Sequence, residues 1–273
     1  MARLMLFCCL LLNCLGVRLL AEPIRIGLNY PHSGNYQAEG LELHRGALLA
    51  VAAINREGGV LGQPLQLLAR DSASNAETAR ANVDAFAAQR VQMIFGGATS
   101  EEAIAAGQRA HDLGLLYFAT LSYADEVTGS AGHRYLFRES NSARMSARVL
   151  GEYLGWNMPR QRYHYILVDD TWGRSIETEL RTSTASQDRA RHGRSALPAH
   201  AAMRKDYLAA LSKAAASDAD ILVLALLGDD LQRTLRLAHN LKLHTRMQII
   251  VPHLSKSIVQ QIGPKVMAGV FGT

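Results

Sequence analysis

The chain of 273 residues is longer than one average domain, so either two lobes or one large α/β unit is expected. Hydrophobic residues make up 48% and charged residues 19%, which excludes a largely disordered chain, and the low aromatic content of 6% favours helices packed on sheets over an all-β barrel. The net charge of +5 arises from 29 basic and 24 acidic residues without a basic block, so nucleic-acid binding is not expected.

The first segment, Met1–Ala21, has the order of a secretory signal peptide. Arg3 precedes an apolar run, Leu4–Leu12, and the favoured cleavage site follows Ala21. This run is too short for a comfortable membrane span, so an uncleaved N-terminal anchor is the weaker alternative. The segment holds all 3 cysteines of the chain, Cys8, Cys9 and Cys14. We therefore expect a mature protein exported to an oxidising compartment, without disulfides or a cysteine-bound metal.

Short apolar strands alternate with helical periods along the rest of the chain. The predicted strands are Ile24–Asn29, Leu65–Ala69, Val91–Phe95, Leu115–Ala119, Tyr135–Arg138, Tyr163–Val168, Ile221–Leu227 and Gln248–Val251. The first predicted helices are Gly40–Glu57, ended by Gly58-Gly59, Ala76–Gln89, capped by Asn75, and Glu101–Asp112. This alternation predicts an α/β fold with parallel sheets and helices on both faces.

Two polar segments are predicted to be connections. Thr120–Gly132 carries two glycines, Gly129 and Gly132, and is where we expect the chain to leave a first lobe. Arg181–Arg194 lacks an apolar period, so we expect an exposed connection whose charges are solvated.

Common catalytic and nucleotide-binding motifs are absent from the sequence, including G-x-S-x-G, a Walker A lysine, H-E-x-x-H and G-x-G-x-x-G. His239 and His244 are spaced wrongly for one helical face, and most histidines are expected on the surface. The acid pairs Asp169-Asp170 and Asp229-Asp230 are predicted to cap helices rather than to form acid/base couples. We therefore expect no catalytic residues, no metal and no cofactor, and keep a secreted enzyme of Rossmann architecture only as an alternative.

Polar and aromatic residues follow several predicted strands, where ligands bind in open α/β sheets. These loops are Tyr30–Tyr36, Gly97–Ser100 and Thr120–Tyr123 in the first half of the chain. Free N–H groups at the following helix, with the hydroxyls of Thr99 and Ser100, predict a cradle for an anion such as a carboxylate. Thr99 and Glu102 also have capping-box spacing, and a cap and an anion site can coexist. Trp172 lies at a strand-end turn, which favours a ligand contact over a core position.

Several segments, in order along the chain, carry a family pattern: Ile24–Gly27, Pro31–Gly34, Ile54–Pro64, Asp71–Asn75, Phe95–Ser100, Tyr135–Arg138 and Thr171–Gly173. Together they resemble the periplasmic solute-binding proteins of the leucine/isoleucine/valine type. The resemblance implies a type I periplasmic binding fold, in which two Rossmann-like lobes close on a solute and the closed form docks on an ABC permease.

The resemblance also implies which residues bind the solute. The first lobe is expected to use Tyr36, Glu39, Ala98, Thr99, Ser100, Leu121, Ser122 and Tyr123, and the second lobe Trp172, Leu227, Gly228 and His253. Tyr123 stands where a threonine is usual, and His253 stands where an acidic partner of the α-ammonium is expected. An ammonium without a carboxylate partner is costly in a closed cleft, so simple branched-chain amino acids are not expected as the solute. Glu39 is either a replacement acid or an exposed helix residue.

The predicted organisation is a signal peptide (1–21), a first lobe (22–125), a second lobe (126–265) and the start of a return to the first lobe (266–273). Family members continue beyond such a segment, so we expect the chain to be C-terminally incomplete. The resemblance implies a monomeric binding protein of the periplasm that delivers a small amino-acid-like, amide or carboxylate solute to ABC permease subunits in the inner membrane. The alternative is the ligand-sensing ectodomain of a membrane receptor.

Overall fold

The computed structural model describes residues 22–184, 191–199 and 202–273. The predicted signal peptide and the cysteines lie outside the described residues, as does the middle of the predicted exposed connection, 185–190. The described chain forms two five-stranded sheets with parallel pairing, flanked by helices. The predicted α/β class is therefore confirmed.

The strands are β1 (Ile24–Tyr30), β2 (Leu65–Asp71), β3 (Met93–Gly96), β4 (Leu116–Ala119), β5 (Leu136–Arg138), β6 (Tyr163–Val168), β7 (His192–Leu197), β8 (Ile221–Ala225), β9 (Gln248–Val251) and β10 (Val270–Gly272). The helices are α1 (Gln37–Arg56), α2 (Ala76–Ala88), α3 (Ser100–Asp112), α4 (Ala143–Asn157), α5 (Thr171–Ser183), α6 (Arg204–Ala215), α7 (Gly228–Asn240), α8 (Lys256–Ile262) and α9 (Pro264–Met267). The first sheet has the order β2-β1-β3-β4-β5, and the second has the order β10-β9-β8-β6-β7.

The two sheets differ in how deeply their strands are buried. Every residue of β6 and β8 is buried, as expected for parallel strands with helices on both faces. In the first sheet, Ile94 and Tyr117 are fully buried in one core cluster with Phe86 of α2, while Phe95 and Phe118 on the opposite face are only half-buried. Both sheets nevertheless present the carboxyl ends of their strands to the same region of the molecule, where the loops described below meet.

The loop after β3 is shaped by glycine. Gly96 has φ +154° and Gly97 has φ +86°. A Cβ atom on Gly96 would lie 2.0 Å from the carbonyl oxygen of Asn29, at the end of β1. The N–H of Gly97 donates to that same oxygen at 3.2 Å. Because only glycine permits this approach, Gly96 fixes the position of the loop that leads into α3.

Strand pairing corrects both predicted lobe boundaries. Leu136–Arg138 pairs with Tyr117–Ala119 of β4, so the chain leaves the first sheet after Arg138 and not near residue 125. Val270–Gly272 pairs with Ile249–Val251 of β9, so 266–273 does not return to the first sheet. Each strand has only three residues, and so short an apolar segment can join any open parallel edge, which its composition does not specify.

The predicted exposed connection is also wrong at its C-terminal end, because His192–Leu197 forms β7 beside β6. Its buried positions are His192, Ser195 and Leu197, with His192 on the face of the strand opposite to the other two. Two of these three residues are polar and the buried positions do not alternate regularly, so the segment lacks the period-2 apolar pattern that indicates a strand. Their polar groups meet inside the lobe, since the Ser195 hydroxyl and His164 Nε2 are 2.9 Å apart and the Tyr165 hydroxyl and His192 Nδ1 are 3.0 Å apart. The expectation of mostly exposed histidines therefore fails for His164 and His192, which are both buried.

Candidate functional site

A cavity of about 170 Å³ lies between the carboxyl edges of the two sheets. The first lobe lines it with Tyr36, Glu39, Glu42, Leu43, Ala98, Leu121 and Tyr123, and the second lobe with Leu227, Gly228, Leu231, His253, Ser255, Ser257 and Ile258. Apolar side chains dominate, with a few polar groups, as in small-molecule sites generally. An engineered cavity of about 150 Å³ holds benzene, so this cavity suits a solute of similarly small size.

A narrower gap of about 10 Å³ shares five lining residues with this cavity. Its lining also includes Thr99, Ser100, Asp170 and Trp172. Ser100 and Trp172 thus face one gap from opposite lobes. Of the twelve predicted binding residues, only Ser122 lines neither space.

The loop hydroxyls of the predicted anion cradle are engaged within the first lobe. Thr99 Oγ1 accepts from the N–H of Glu102 at 3.1 Å and caps α3. Ser100 Oγ accepts from the N–H of Ala124 at 3.0 Å, and the Ser122 hydroxyl donates to the Thr99 carbonyl at 3.1 Å. These bonds hold the loops after β3 and β4 together. The Thr99 and Ser100 oxygens act as acceptors in these bonds, so each O–H group can still donate to an anion, and the cradle stays a prediction.

Glu39 projects from the first turn of α1 into the cavity. Its Oε2 atom is buried and has no hydrogen-bond partner among the described residues. Burial raises the pKa of the Glu39 carboxyl above its ordinary value, and the charges of Asp229 and Glu42 raise it further. Its Oε1 atom lies 3.5 Å from where a Cβ on Gly228 would be, so the second lobe closes directly over this carboxyl group.

Two rings from opposite lobes form one wall of the cavity. The centroids of Tyr123 and His253 are 4.2 Å apart, with 37° between the ring planes. Burial lowers the pKa of His253, so its imidazole is neutral at pH 7 and supplies no cation. Burial raises the pKa of the Tyr123 hydroxyl, with a smaller contribution from Glu39, so this group stays protonated.

The electrostatic character of the cleft is acidic. Burial raises the pKa of Tyr36 well above its ordinary value, and the charges of four carboxylates raise it further: Asp170, Asp230, Glu101 and Glu39. Burial, together with the charge of Glu101, raises the pKa of Asp170 to about 7. Neither lysine nor arginine lines the main cavity within residues 22–184, 191–199 and 202–273. An anion in the main cavity would therefore meet Glu39 and Glu42 and no lysine or arginine side chain.

Direct hydrogen bonds join the two lobes beside the cavity. The Thr171 N–H donates to Glu101 Oε1 at 2.8 Å, and the Ser175 hydroxyl donates to Glu126 Oε2 at 2.8 Å. The first bond connects the start of α5 to the start of α3, and the second connects α5 to the turn that follows β4. The cleft is therefore closed in this structure.

The predictions for the strand-end acids and Trp172 have mixed outcomes. Asp170 caps α5 as predicted, accepting from the Gly173 N–H at 2.7 Å. Asp229 and Asp230 do not cap α7, because they lie within its first turn, where Asp230 accepts from the Tyr207 hydroxyl and Asp229 pairs with Arg233. Trp172 is 3% exposed and belongs to a core cluster, so only one part of it borders the gap.

Sequence reasoning missed the lining residues contributed by helical faces. Leu43 on α1 and Leu231 on α7 follow the predicted Glu39 and Gly228 by about one turn. Ser255 caps α8 after β9 and lines the cavity with Ser257 and Ile258. The signal for this last group was available, because the same strand-end rule that selected His253 applies to the residues that follow it.

No group of three or more His, Asp, Glu or Cys side chains in the described part of the chain could hold a metal ion. No helix there is both long enough and apolar enough to span a bilayer.

A family model described as periplasmic binding protein matches residues 23–273. The Leu/Ile/Val-binding protein homolog 8 of Brucella abortus is 35% identical over 161 residues, which is 56% of this chain and 40% of the relative. The matched part thus spans about two fifths of this curated relative.

Solved structures share the fold. A periplasmic binding protein from Burkholderia mallei has a TM-score of 0.80 at 21% identity, covering 90% of this chain and 65% of that chain. The branched-chain amino acid transporter substrate binding protein from Streptococcus pneumoniae, solved with isoleucine, has a TM-score of 0.75 at 23% identity, covering 91% of this chain and 70% of that chain. These relatives are solute-binding proteins rather than enzymes. With almost the whole described chain inside the family match, the protein belongs to the periplasmic binding protein family, which acts outside the cytoplasm.

Proposed function

We propose that the protein captures a small amino-acid-like, amide or carboxylate solute between its two lobes and delivers it to an ABC permease in the inner membrane. The main support is the cavity that both lobes line at their strand ends. Most residues that the family resemblance selects border this cavity or the adjoining gap. The permease partner is inferred from the transporter relative, whose name assigns it to branched-chain amino acid transport.

Capture proceeds by hinge closure in this proposal. The two sheets are joined by the segment 139–142, between β5 and α4, which is short enough to act as a hinge. Opening would separate Tyr123 from His253 and Thr171 from Glu101, and would expose the cavity to solvent. Closing on a solute would restore these contacts around it. The proposed binding residues are those of the predicted set that line the two spaces.

The two tryptophans of the chain make a direct test possible. Trp172 borders the gap between the lobes, whereas Trp156 on α4 is 87% exposed. In a Trp156→Phe variant, the emission of Trp172 alone reports closure. We expect a saturable emission change and a higher melting temperature with at least one member of a panel of amino acids, amides, ureas, amines and small carboxylates. If no member changes either signal, solute capture at this cleft is rejected.

A further inference from the structure

The carboxyl group of Glu39 is enclosed by groups that cannot neutralise it. The lining around it offers the hydroxyls of Tyr36 and Tyr123, the neutral imidazole of His253 and the backbone of Gly228. Its Oε2 atom has no hydrogen-bond partner within the described ranges. A buried carboxylate is costly unless a donor or a cation satisfies it. In its ionised form Glu39 therefore has no cationic partner in the closed cleft, and a cation that enters the cavity would supply one.

The surroundings of Glu39 add negative charge rather than positive charge. Glu42 lines the same cavity, and Asp229 lies at the start of α7, close enough to disfavour ionisation of Glu39. The Asp229 carboxylate already has its own cationic partner, since it pairs with Arg233 at 3.3 Å. A solute carboxylate placed beside Glu39 would be repelled, whereas an ammonium group would meet an unpaired carboxylate in a site of low dielectric.

The remainder of the cavity is suited to a small hydrocarbon body. Leu43, Leu121, Leu227, Leu231 and Ile258 line it, and the Tyr123–His253 wall closes one side. The volume of about 170 Å³ compares with the roughly 150 Å³ that accommodate benzene. Glu39 and Glu42 are thus the acidic groups of an otherwise largely apolar chamber, and Glu39 is the one whose carboxylate oxygen is buried without a partner among the described residues.

We infer, building on the proposed function, that the solute carries an ammonium group, that Glu39 of the first lobe binds this group, and that a short aliphatic or aromatic body occupies the leucine-lined chamber. The acidic partner is then supplied by helix α1 of the first lobe, and the neutral His253 of the second lobe contributes packing instead of charge. The solute class is a small primary amine, with or without further polar groups.

Three probes with the same branched carbon skeleton separate the possible charge types: 3-methylbutan-1-amine, 3-methylbutanamide and 3-methylbutanoate. We expect calorimetric titration at pH 7.5 to give an affinity for the amine at least tenfold above that for the amide and at least a hundredfold above that for the carboxylate. The Glu39→Gln variant keeps the size of the side chain and removes its charge. It should weaken amine binding at least thirtyfold and leave amide binding within threefold.

The matched control is Glu57→Gln, an exposed glutamate immediately beyond the other end of the same helix, about 27 Å along the helix axis at 1.5 Å per residue. It should leave amine binding within twofold, and melting temperatures of both variants without solute that are no lower than that of the unmodified chain show that the fold is intact. If the amide or the carboxylate binds as tightly as the amine, or if Glu39→Gln leaves amine affinity within threefold, the inference is overturned while solute capture stands. If Trp172 emission and melting temperature respond to no member of the wider panel, capture itself fails.

Discussion

The two sides of the cleft are built differently. On the first lobe, the loop from Gly96 to Ser100 is fixed by its own hydrogen bonds, and the carboxyl group of Glu102, which is 0% exposed, faces the N–H of Ala98 at 3.4 Å. On the second lobe, the facing residues Leu227, Gly228 and His253 contribute surface and few bonds. The comparison indicates that the first lobe presents a preformed platform, while the second lobe acts as a cover whose fit depends on the absence of side-chain bulk.

The two lobes also bury ionisable groups of opposite type. Burial raises the pKa of Glu102 in the first lobe to about 7, and burial, aided by the charge of Lys213, lowers the pKa of His164 in the second lobe to about 4. Both groups are therefore favoured in their neutral forms. The two lobes should respond to pH in opposite directions, although their architectures are alike.

The largest effect is expected from a substitution that disrupts the loop from Gly96 to Ser100, on the first lobe. Gly96→Ala would place a Cβ atom 2.0 Å from the Asn29 carbonyl oxygen, and should destabilise the protein by about 3 kcal/mol or more in urea unfolding. The control is Gly155→Ala on α4, where a Cβ would meet nothing within 4 Å and helix propensity should stabilise by about 0.5–1 kcal/mol. Equal unfolding midpoints for the two variants would show that the loop after β3 is not fixed by this glycine.

The next effect concerns pH and the buried imidazole of the second lobe. His164 is 1% exposed and has a folded pKa of about 4, below the ordinary 6.5, so its contribution to stability is present above pH 6.5 and is lost as the pH falls toward 4. The loss is at most about 3 kcal/mol. Urea midpoints measured from pH 4.5 to 7.5 should fall less steeply with acidification in His164→Gln than in the unmodified chain.

Glu102 in the first lobe is expected to show the opposite dependence of stability on pH. Its folded pKa of about 7 exceeds the ordinary 4.5, so its contribution is fully present below pH 4.5 and is lost as the pH rises through 7. Glu102→Gln should therefore lose less stability than the unmodified chain between pH 5 and 8. If both variants keep the unmodified pH dependence, neither buried group controls it.

A smaller effect is expected from a substitution in the second lobe, which covers the cleft. Gly228 has φ +50°, and a Cβ there would lie 3.2 Å from the Asn35 carbonyl oxygen of the first lobe. Gly228→Ala should weaken solute binding about tenfold, or ~1.4 kcal/mol, because the added methyl group would press against the Asn35 carbonyl oxygen when the lobes close. Gly58→Ala also places an alanine at a positive φ, +99°, but has no neighbour within 4 Å, and should leave binding unchanged. Equal binding by both variants would contradict the role of Gly228.

The smallest effect separates capping from binding on the first lobe. Thr99→Ala and Asn75→Ala each remove a side-chain cap, and each should cost about 1 kcal/mol of stability. Only Thr99 borders the gap between the lobes, so only its loss should also alter solute affinity. Equal affinities for both variants would leave Thr99 with capping alone.

Sequence reasoning succeeded where one local force dominates. Six consecutive buried residues define β6 at its predicted bounds, and Asn75 and Asp170 cap helices as predicted because a side-chain oxygen satisfies nearby N–H groups. It failed where distant partners decide the outcome. The sheet that receives β5 and the burial of Glu102 depend on residues far along the chain, and no local pattern encodes them.

The ring contact across the cleft has one further consequence. Because Tyr123 and His253 belong to different lobes, their contact favours the shut form whether or not a guest is present. An attraction of ~1.4 kcal/mol would raise the population of the closed form without solute about tenfold relative to the open form. It would also lower by ~1.4 kcal/mol the free energy of closure that solute binding must supply. A permease that recognises only the closed conformation would then also bind unloaded protein, which competes with loaded protein. The strength of the Tyr123–His253 contact therefore limits how well the permease distinguishes loaded from unloaded protein.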